Sequence, residues 1–208
     1  MEPVPQTADE TAFLAADEVI DHGHPLVRAT AARLRAEAPD PYGYAEAAYD
    51  FVRDAIPHSA DSGDPRVTWR ASDVLERRTG ICHAKAHALT ALLRAEGIPA
   101  GLCYQRLTDD DGGGPLVHGL VALKPPGHDR WARQDPRGNK PGVDARFSLA
   151  EERLAWVPRP ALGERDYPGL YATPPSVVLT ALRQAVDRPH LWRLLPTELP
   201  GPEERGER

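Results

Sequence analysis

The segment Gly80-Ile81-Cys82-His83-Ala84-Lys85-Ala86 places a cysteine at the start of a predicted helix. Apolar residues recur at helical spacing as far as Glu96, and the Gly97 and Pro99 that follow are typical of a helix end. A thiol in the first turn of a helix meets free backbone N–H groups and the positive end of the helix dipole, and both favour the thiolate. The segment therefore predicts a helix from Cys82 to Glu96 with a nucleophile at its beginning.

Cys82 also has an ordinary explanation, because cysteine is among the most buried residue types and packs as a small hydrophobic side chain. A helix end contributes only about 0.3–1 kcal/mol to thiolate formation, which is less than one pKa unit. An ordinary thiol is only about 3 % ionised at pH 7. A nucleophilic Cys82 therefore requires a partner base.

The region after this helix supplies a candidate base. There the apolar period changes from 3.6 to 2, which predicts strands over Leu102–Leu107, Leu116–Leu123 and Arg130–Gln134. Their short connections favour antiparallel neighbours. His118 interrupts the apolar middle of the second strand, and Asp135 follows the third. If these strands pair, His118 is the candidate base and the Asp135 carboxylate can hold its far ring nitrogen.

The region before Cys82 is predicted to be helical. Three segments have amphipathic helical spacing: Asp9–Asp21, Leu26–Leu34 and Tyr44–Ala55. A short helix is predicted over Asp73–Arg78, with Ser72 as its cap and Gly80 as its left-handed stop. Helices that precede strands in this way indicate an α+β fold, with the nucleophile helix packed on an antiparallel sheet.

The rest of the chain completes a single predicted domain. Pro175–Val186 is predicted as a final helix, and Pro196–Arg208 as a mobile polar tail. A length of 208 residues suits one domain, which we place at residues 1–195 with a core at about 50–155.

Composition excludes several classes of function. The net charge of −6 lacks the clustered basic excess that nucleic acid or an anionic membrane attracts, so we expect neither partner. Two cysteines, Cys82 and Cys103, are too few for a disulfide scaffold and suit a reducing compartment. The first ten residues have no basic and apolar pattern of a signal peptide. We therefore expect a cytoplasmic protein.

Four segments together resemble the transglutaminase-like superfamily of papain-fold cysteine enzymes, and more narrowly its small bacterial members. They are Gly80-Ile81-Cys82, the run Ala88–Ala100, His118-Gly119 and Asp135–Lys140. The resemblance covers about residues 50–155. One departure is Gly119, where many relatives carry an aromatic residue after the histidine.

The resemblance implies a papain/transglutaminase-like core in which Cys82 is the nucleophile, His118 the base and Asp135 the orienting group. It implies a cysteine peptidase, amidase or transglutaminase that acts on a peptide or protein amide through a thioester. The oxyanion hole would use the Cys82 backbone N–H and a second donor, with Trp69 and Gln105 as candidates. The alternative is a catalytically silent binding module with the same fold.

Several other residues have competing interpretations. His83 and His87 have the i, i+4 spacing of two metal ligands, but no third ligand is predictable, so we predict no metal or cofactor and place both at the cleft rim or in solvent. His58 and Asp61 are predicted to form a cleft wall. The remaining predictions are a surface position for Lys85, an inert core thiol for Cys103 and a solvated hairpin tip for Asp109–Asp111.

Overall fold

A central helix packs on a four-stranded antiparallel sheet in the computed structural model, which describes residues 1–109 and 114–200. The helices are α1 (Pro25–Glu37), α2 (Pro41–Ala55), α3 (Ser59–Ser62), α4 (Ala71–Arg77), α5 (Cys82–Ala95), α6 (Ser176–Gln184) and α7 (Arg188–Leu194). The strands are β1 (Val4–Pro5), β2 (Ala100–Thr108), β3 (Pro115–Leu123), β4 (Ala132–Gln134), β5 (Arg165–Asp166) and β6 (Gly169–Leu170). Short 3₁₀ turns lie at Glu10–Phe13 and Pro160–Leu162.

The sheet has the strand order β4-β3-β2-β5, and every neighbouring pair is antiparallel. This confirms the three predicted strands as antiparallel neighbours and confirms the α+β class. β2 and β3 pair along their whole lengths, with Gln105 opposite His118 and Leu107 opposite Leu116. Because side chains alternate along a strand, these four side chains lie on one face of the sheet. β1 and β6 form a separate parallel pair.

Helix α5 lies at the centre of the fold, and every residue from Cys82 to Arg94 is buried. It packs against β2 and β3 on one side and against α1, α2 and α4 on the other. The predicted bounds are confirmed to within one residue. Gly97 has φ +73°, a left-handed conformation that glycine adopts without strain, so it ends the helix as the sequence predicts.

Two buried cations connect this helix to its neighbours. The prediction that Lys85 lies at the surface is wrong, because its ammonium group donates to the carbonyl oxygens of Arg53 and Ile56 at the end of α2. The last carbonyls of a helix lack partners within that helix, and Lys85 satisfies two of them. Burial lowers the pKa of Lys85 to about 7. Arg94 donates in the same way to three loop or strand carbonyls, those of Ala15, Ala100 and Ala172.

The prediction of a helix over Asp9–Asp21 is wrong. Only a 3₁₀ turn forms, and the rest of the segment is irregular. Its two main anchors, Phe13 and Ile20, are buried in different hydrophobic clusters. A single helical face cannot reach both clusters. Asp17 instead closes a turn by accepting hydrogen bonds from the backbone N–H groups of Val19 and Ile20.

The helix predicted over Asp73–Arg78 forms, but its ends are built differently. It begins at Ala71, and the predicted cap Ser72 lies inside it, where its hydroxyl donates to Asp21. The left-handed stop is Arg78, with φ 52°, rather than Gly80. A Cβ on Gly80 would lie 3.0 Å from the Cβ of Ala84, so close packing against α5 explains this glycine.

The C-terminal region is more ordered than the sequence predicts. The predicted helix Pro175–Val186 is confirmed as α6, but α7 was not predicted. The tail predicted from Pro196 begins too early, because Leu199 is buried and its N–H donates to the hydroxyl of Tyr167. Residues 201–208, and with them the rest of the predicted tail, lie outside the described residues. So do residues 110–113, which include Asp110 and Asp111 of the predicted hairpin tip.

No helix within residues 1–109 and 114–200 combines the length and the apolar character that crossing a lipid bilayer requires.

We predict that Gly119→Ala destabilises the protein by about 1–3 kcal/mol, the usual cost of overpacking a core. A Cβ at Gly119 would lie 2.6 Å from Nδ1 of His83 and 3.2 Å from its backbone Cα, so β3 and α5 would have to separate. Urea unfolding measures the change. Gly23→Ala is the matched control, because a Cβ there meets nothing within 4 Å. Equal stability of the two variants would contradict this account.

Candidate active site

Cys82 occupies the first position of α5, and its side chain is largely buried at the edge of a cleft. The preceding residue, Ile81, is the N-cap and offers no side-chain acceptor to the helix end. The first backbone N–H groups of α5 are therefore not satisfied by a capping side chain. Local sequence thus places the thiol at a helix end that favours a negative charge.

His118 and Asp135 approach this thiol from the sheet. His118 lies in β3, and its Nε2 is 2.9 Å from Oδ2 of Asp135, the residue that follows β4. The imidazole also shares a hydrogen bond with the thiol of Cys82. The structure therefore joins the three predicted site residues in the order thiol, imidazole and carboxylate.

The carboxylate of Asp135 is completely buried and is held by backbone as well as side-chain donors. Oδ1 accepts from the N–H of Arg137 at 3.1 Å, and Oδ2 accepts from the N–H of Ala155 at 3.1 Å. The hydroxyl of Tyr49, on α2, donates to the Asp135 carbonyl oxygen at 3.0 Å. These bonds fix the position of the carboxylate against His118.

The charged forms of Cys82, His118 and Asp135 stabilise one another. Burial alone would raise the pKa of Cys82, but the neighbouring His118 imidazolium lowers it below the ordinary thiol value. Burial alone would lower the pKa of His118, but the Asp135 carboxylate and the Cys82 thiolate raise it. The pKa of Asp135 is lowered by His118 and by its backbone donors, against the effect of burial. The arrangement therefore favours transfer of the thiol proton to the imidazole.

The cleft beside Cys82 has a volume of about 190 Å³. The indole of Trp156 packs edge-on against the His118 ring, with the ring centroids 5.1 Å apart. The guanidinium group of Arg137 lies over the ring of this indole, 5.2 Å from its centroid, and pairs with Asp61. His58 and Asp61 both line the cleft, which confirms the predicted cleft wall.

The two predicted second oxyanion donors are wrong, because neither side chain lines the cleft. The indole of Trp69 lies against the guanidinium groups of Arg70 and Arg183, at 4.5 and 4.7 Å from its ring centroid. The amide Nε2 of Gln105 donates to Asp166 at 2.9 Å. The Gln105 amide is therefore engaged with another residue, and the Trp69 ring packs against two cations outside the cleft.

His83 and His87 lie inside the protein, so the prediction that they line the cleft rim or are solvated is wrong. His87 bonds the Trp69 carbonyl oxygen through Nδ1 at 2.8 Å, and the ring of His83 packs near that of Tyr104. Burial lowers the pKa of His83 to about 3 and that of His87 to about 4, so both are neutral. Among the described residues, no group of three or more His, Cys, Asp or Glu side chains is arranged to hold a metal ion.

Sequence reasoning missed the residues that reach the cleft from the C-terminal third of the chain. Trp156, Trp192 and Leu195 all line it. None has a periodic pattern that separates it from an ordinary core residue. The one available signal was the presence of tryptophans beyond the predicted core.

Cys82, His118 and Asp135 thus lie together at the edge of a cleft on an α+β fold of the papain and transglutaminase type. Residues 28–136, more than half of the chain, match the transglutaminase-like superfamily, and the chain belongs to that superfamily. No curated protein sequence matches the chain.

Comparison with solved structures gives partial matches that include three structures, of which the first shares the fold. A candidate cysteine protease from Cytophaga hutchinsonii matches with a TM-score of 0.52 and 22% identity, over 65% of this chain and 45% of its own. The periplasmic domain of TgpA from Pseudomonas aeruginosa matches with a TM-score of 0.46 and 25% identity, over 63% of this chain and 48% of its own. The same domain bound to ethylmercury gives a TM-score of 0.46 and 24% identity, over 61% of this chain and 48% of its own. This chain thus spans less than half of each of these structures.

We predict that alkylation of the folded protein occurs at Cys82 and not at Cys103. Cys103 is completely buried, as predicted for an inert core thiol, and burial raises its pKa far above the ordinary value. Peptide mass spectrometry after brief exposure to iodoacetamide identifies the modified residue. The unfolded chain is the control, in which both thiols react. Modification of Cys103 at a rate equal to that of Cys82 in the folded protein would contradict this prediction.

Proposed function

We propose that this protein is a cysteine-dependent hydrolase of amide bonds that acts through a thioester on Cys82. The observation that supports the proposal most directly is the buried hydrogen-bonded chain Cys82–His118–Asp135 at the edge of a cleft. A nucleophile, a base and an orienting group in hydrogen-bond contact are what nucleophilic catalysis requires.

In the first step, the Cys82 thiolate attacks the carbonyl carbon of the amide, and a carbon–sulfur bond forms. The His118 imidazolium donates its proton to the departing nitrogen as the carbon–nitrogen bond breaks. A free amine leaves, and a thioester remains with a neutral His118. Water then attacks the thioester, His118 takes up its proton, and collapse releases the carboxylic acid and restores the thiolate and imidazolium pair.

The same thioester would give cross-linking if an amine took the place of water. We favour hydrolysis because water needs no dedicated second binding pocket. A primary amine added in excess provides the distinction: a transglutaminase would transfer most of the acyl group to that amine, whereas a hydrolase would release mainly the acid.

The oxyanion of the tetrahedral intermediate needs two donors. We propose the backbone N–H of Cys82 and the side chain of His58. The His58 backbone pairs with Gly80, two residues before the nucleophile, and the adjacent Ser59 N–H donates to the Gly80 carbonyl oxygen at 3.1 Å. The His58 side chain is buried, lines the cleft and has an Nδ1 without a hydrogen-bond partner.

The charge state of His58 suits this role. Burial, together with nearby Arg137 and Lys85, lowers the pKa of His58 well below its ordinary value. A neutral imidazole has one N–H to donate and does not compete with His118 for the proton of the thiol. His58 is therefore assigned as a neutral donor rather than as a second base.

The cytoplasmic location predicted from the sequence remains part of this proposal. It is based on the two free cysteines, which suit a reducing compartment. Both cysteines are buried, which is compatible with reduced thiols.

We predict that Cys82 reacts with iodoacetamide at pH 6 at least tenfold faster than it does in the unfolded chain, because His118 keeps it ionised below the ordinary thiol pKa of about 8.5. His118→Asn removes the imidazolium and leaves burial, which raises the pKa of Cys82, so the pH profile of alkylation should shift upward. Rates at several pH values, measured by mass spectrometry, test both expectations. A folded wild type that reacts no faster than the unfolded chain would contradict the enzyme proposal and favour the binding module.

We predict that His58→Phe slows acylation of Cys82 by 4-nitrophenyl acetate by about 100-fold, the usual cost of losing one oxyanion donor. Alkylation by iodoacetamide passes through no oxyanion, so its rate should change less than twofold. His58→Gln keeps an N–H donor and should recover part of the acylation rate. Equal slowing with both reagents would indicate a merely structural role for His58.

A further inference from the structure

We propose that the cleft contains an apolar subsite that receives a bulky aliphatic or aromatic group attached next to the reacting carbonyl of the substrate. The apolar subsite consists of five cleft-lining side chains: Leu107, Leu116, Trp156, Trp192 and Leu195. The inference rests on the proposed function, because it assigns a substrate class to the same site.

The sheet provides one wall of the apolar subsite. Leu116 precedes His118 by two residues on β3, and Leu107 lies directly opposite Leu116 on β2. All three side chains therefore point from the same face of the sheet. An apolar group that occupies this wall lies beside the imidazole, within reach of a carbonyl carbon held at Cys82.

The C-terminal segment provides the second wall. The indole Nε1 of Trp192, on α7, donates to the Asp109 carboxylate at 3.2 Å, just beyond the end of β2. The N–H of Val117 donates to the Pro196 carbonyl oxygen at 3.0 Å, and Arg106 donates to the Thr197 carbonyl oxygen at 3.2 Å. These bonds hold Trp192 and Leu195 against the cleft.

Trp156 provides the third wall, between the imidazole of His118 and the guanidinium group of Arg137. It is half-buried, whereas the neighbouring Val157 at the rim is 84% exposed. Aromatic side chains in a concave site bring much contact area with little loss of conformational entropy, which suits recognition of an apolar group.

Charged groups in the cleft do not favour a charged substrate group. Asp61 is paired with Arg137, and Glu164 is paired with Arg159 at 2.6 Å. Asp109 accepts the indole N–H of Trp192. Lys140 also lines the cleft and has an interaction of its own. The carboxylates of Asp61 and Glu164 are therefore already paired with cations, and an anionic group would compete with them for Arg137 and Arg159.

The cleft is large enough for such a group. Its volume of about 190 Å³ exceeds the ~150 Å³ of a dry cavity that holds a benzene-sized molecule. A leucine or phenylalanine side chain fits this space, whereas a glycine would leave the five apolar side chains in contact with water.

A panel of N-acetyl aminoacyl acyloxymethyl ketones, reactive probes that alkylate Cys82, tests the inference. The probes carry leucine, phenylalanine, glycine, glutamate or lysine next to the ketone, and mass spectrometry follows the labelling rate. We predict that the leucine and phenylalanine probes label Cys82 at least tenfold faster than the other three, as expected from buried methylene groups in an apolar pocket. A faster reaction with glutamate or lysine would overturn the inference.

Substitutions in the walls of the apolar subsite provide a second test of the inference. Trp192→Ala and Leu116→Ala should reduce the preference to below about threefold, while the rate with iodoacetamide at pH 6 stays within twofold of wild type. Leu162→Ala, at an exposed position outside the cleft, is the matched control and should keep the full preference. An unchanged preference in both wall variants would overturn the assignment of these walls.

The rate at which iodoacetamide alkylates Cys82 distinguishes failure of the apolar subsite from failure of the proposed function. A wild-type thiol that reacts rapidly at pH 6 but labels equally with all five probes would overturn the apolar subsite and leave the proposed function supported. A thiol that reacts no faster than in the unfolded chain would overturn the proposed function and this inference with it.

Discussion

A buried carboxylate constrains the whole site. The Asp135 side chain has no exposure to solvent, and an unpaired charge in such a place is unstable by several kcal/mol. Two backbone N–H groups bind it but carry no full charge, so the compensating positive charge comes from His118. That imidazolium in turn favours the thiolate of Cys82. The reactivity that we propose for the thiol thus originates two side chains away, in the burial of the Asp135 carboxylate.

The central helix makes this burial possible. α5 brings Cys82 into the protein together with Lys85 and Arg94, two cations that most helices would expose. Both are satisfied by backbone carbonyls of other segments, so the helix is tied to its surroundings by hydrogen bonds as well as by apolar packing. Gly119 lets β3 approach α5 at His83, which places His118 beside the thiol. Substitution of any of these groups is therefore expected to move the imidazole relative to the sulfur.

The sequence predicts the parts of the structure that depend on local signals. Gly97 and Pro99 define the end of α5, and a period of two defines β2 and β3. The order of Cys82, His118 and Asp135 predicts a site that the fold brings together. The features that the sequence does not predict depend on contacts between residues far apart in the chain. Nothing in the sequence around Lys85 distinguishes it from a surface lysine, because its burial depends on a tertiary contact with the end of α2. The Asp9–Asp21 segment has helical spacing, yet its two anchors are buried in separate clusters.

The cleft combines residues from inside and outside the range that matches the superfamily. Cys82, His118, Asp135 and His58 all lie within residues 28–136, which match the superfamily. Trp156, Trp192 and Leu195 lie outside that range and reach the cleft only because the C-terminal segment returns to β2 and β3. In our proposal, activation of the thiol depends on charge burial near Asp135, whereas the fit of a substrate depends on apolar contacts that carry no charge. Trp156 contacts the His118 ring, and the N–H of the adjacent Ala155 binds Asp135, so a change there would affect both properties. The indole N–H of Trp192 is bonded to Asp109 instead, so we expect a change at Trp192 to alter substrate fit with less effect on the imidazole.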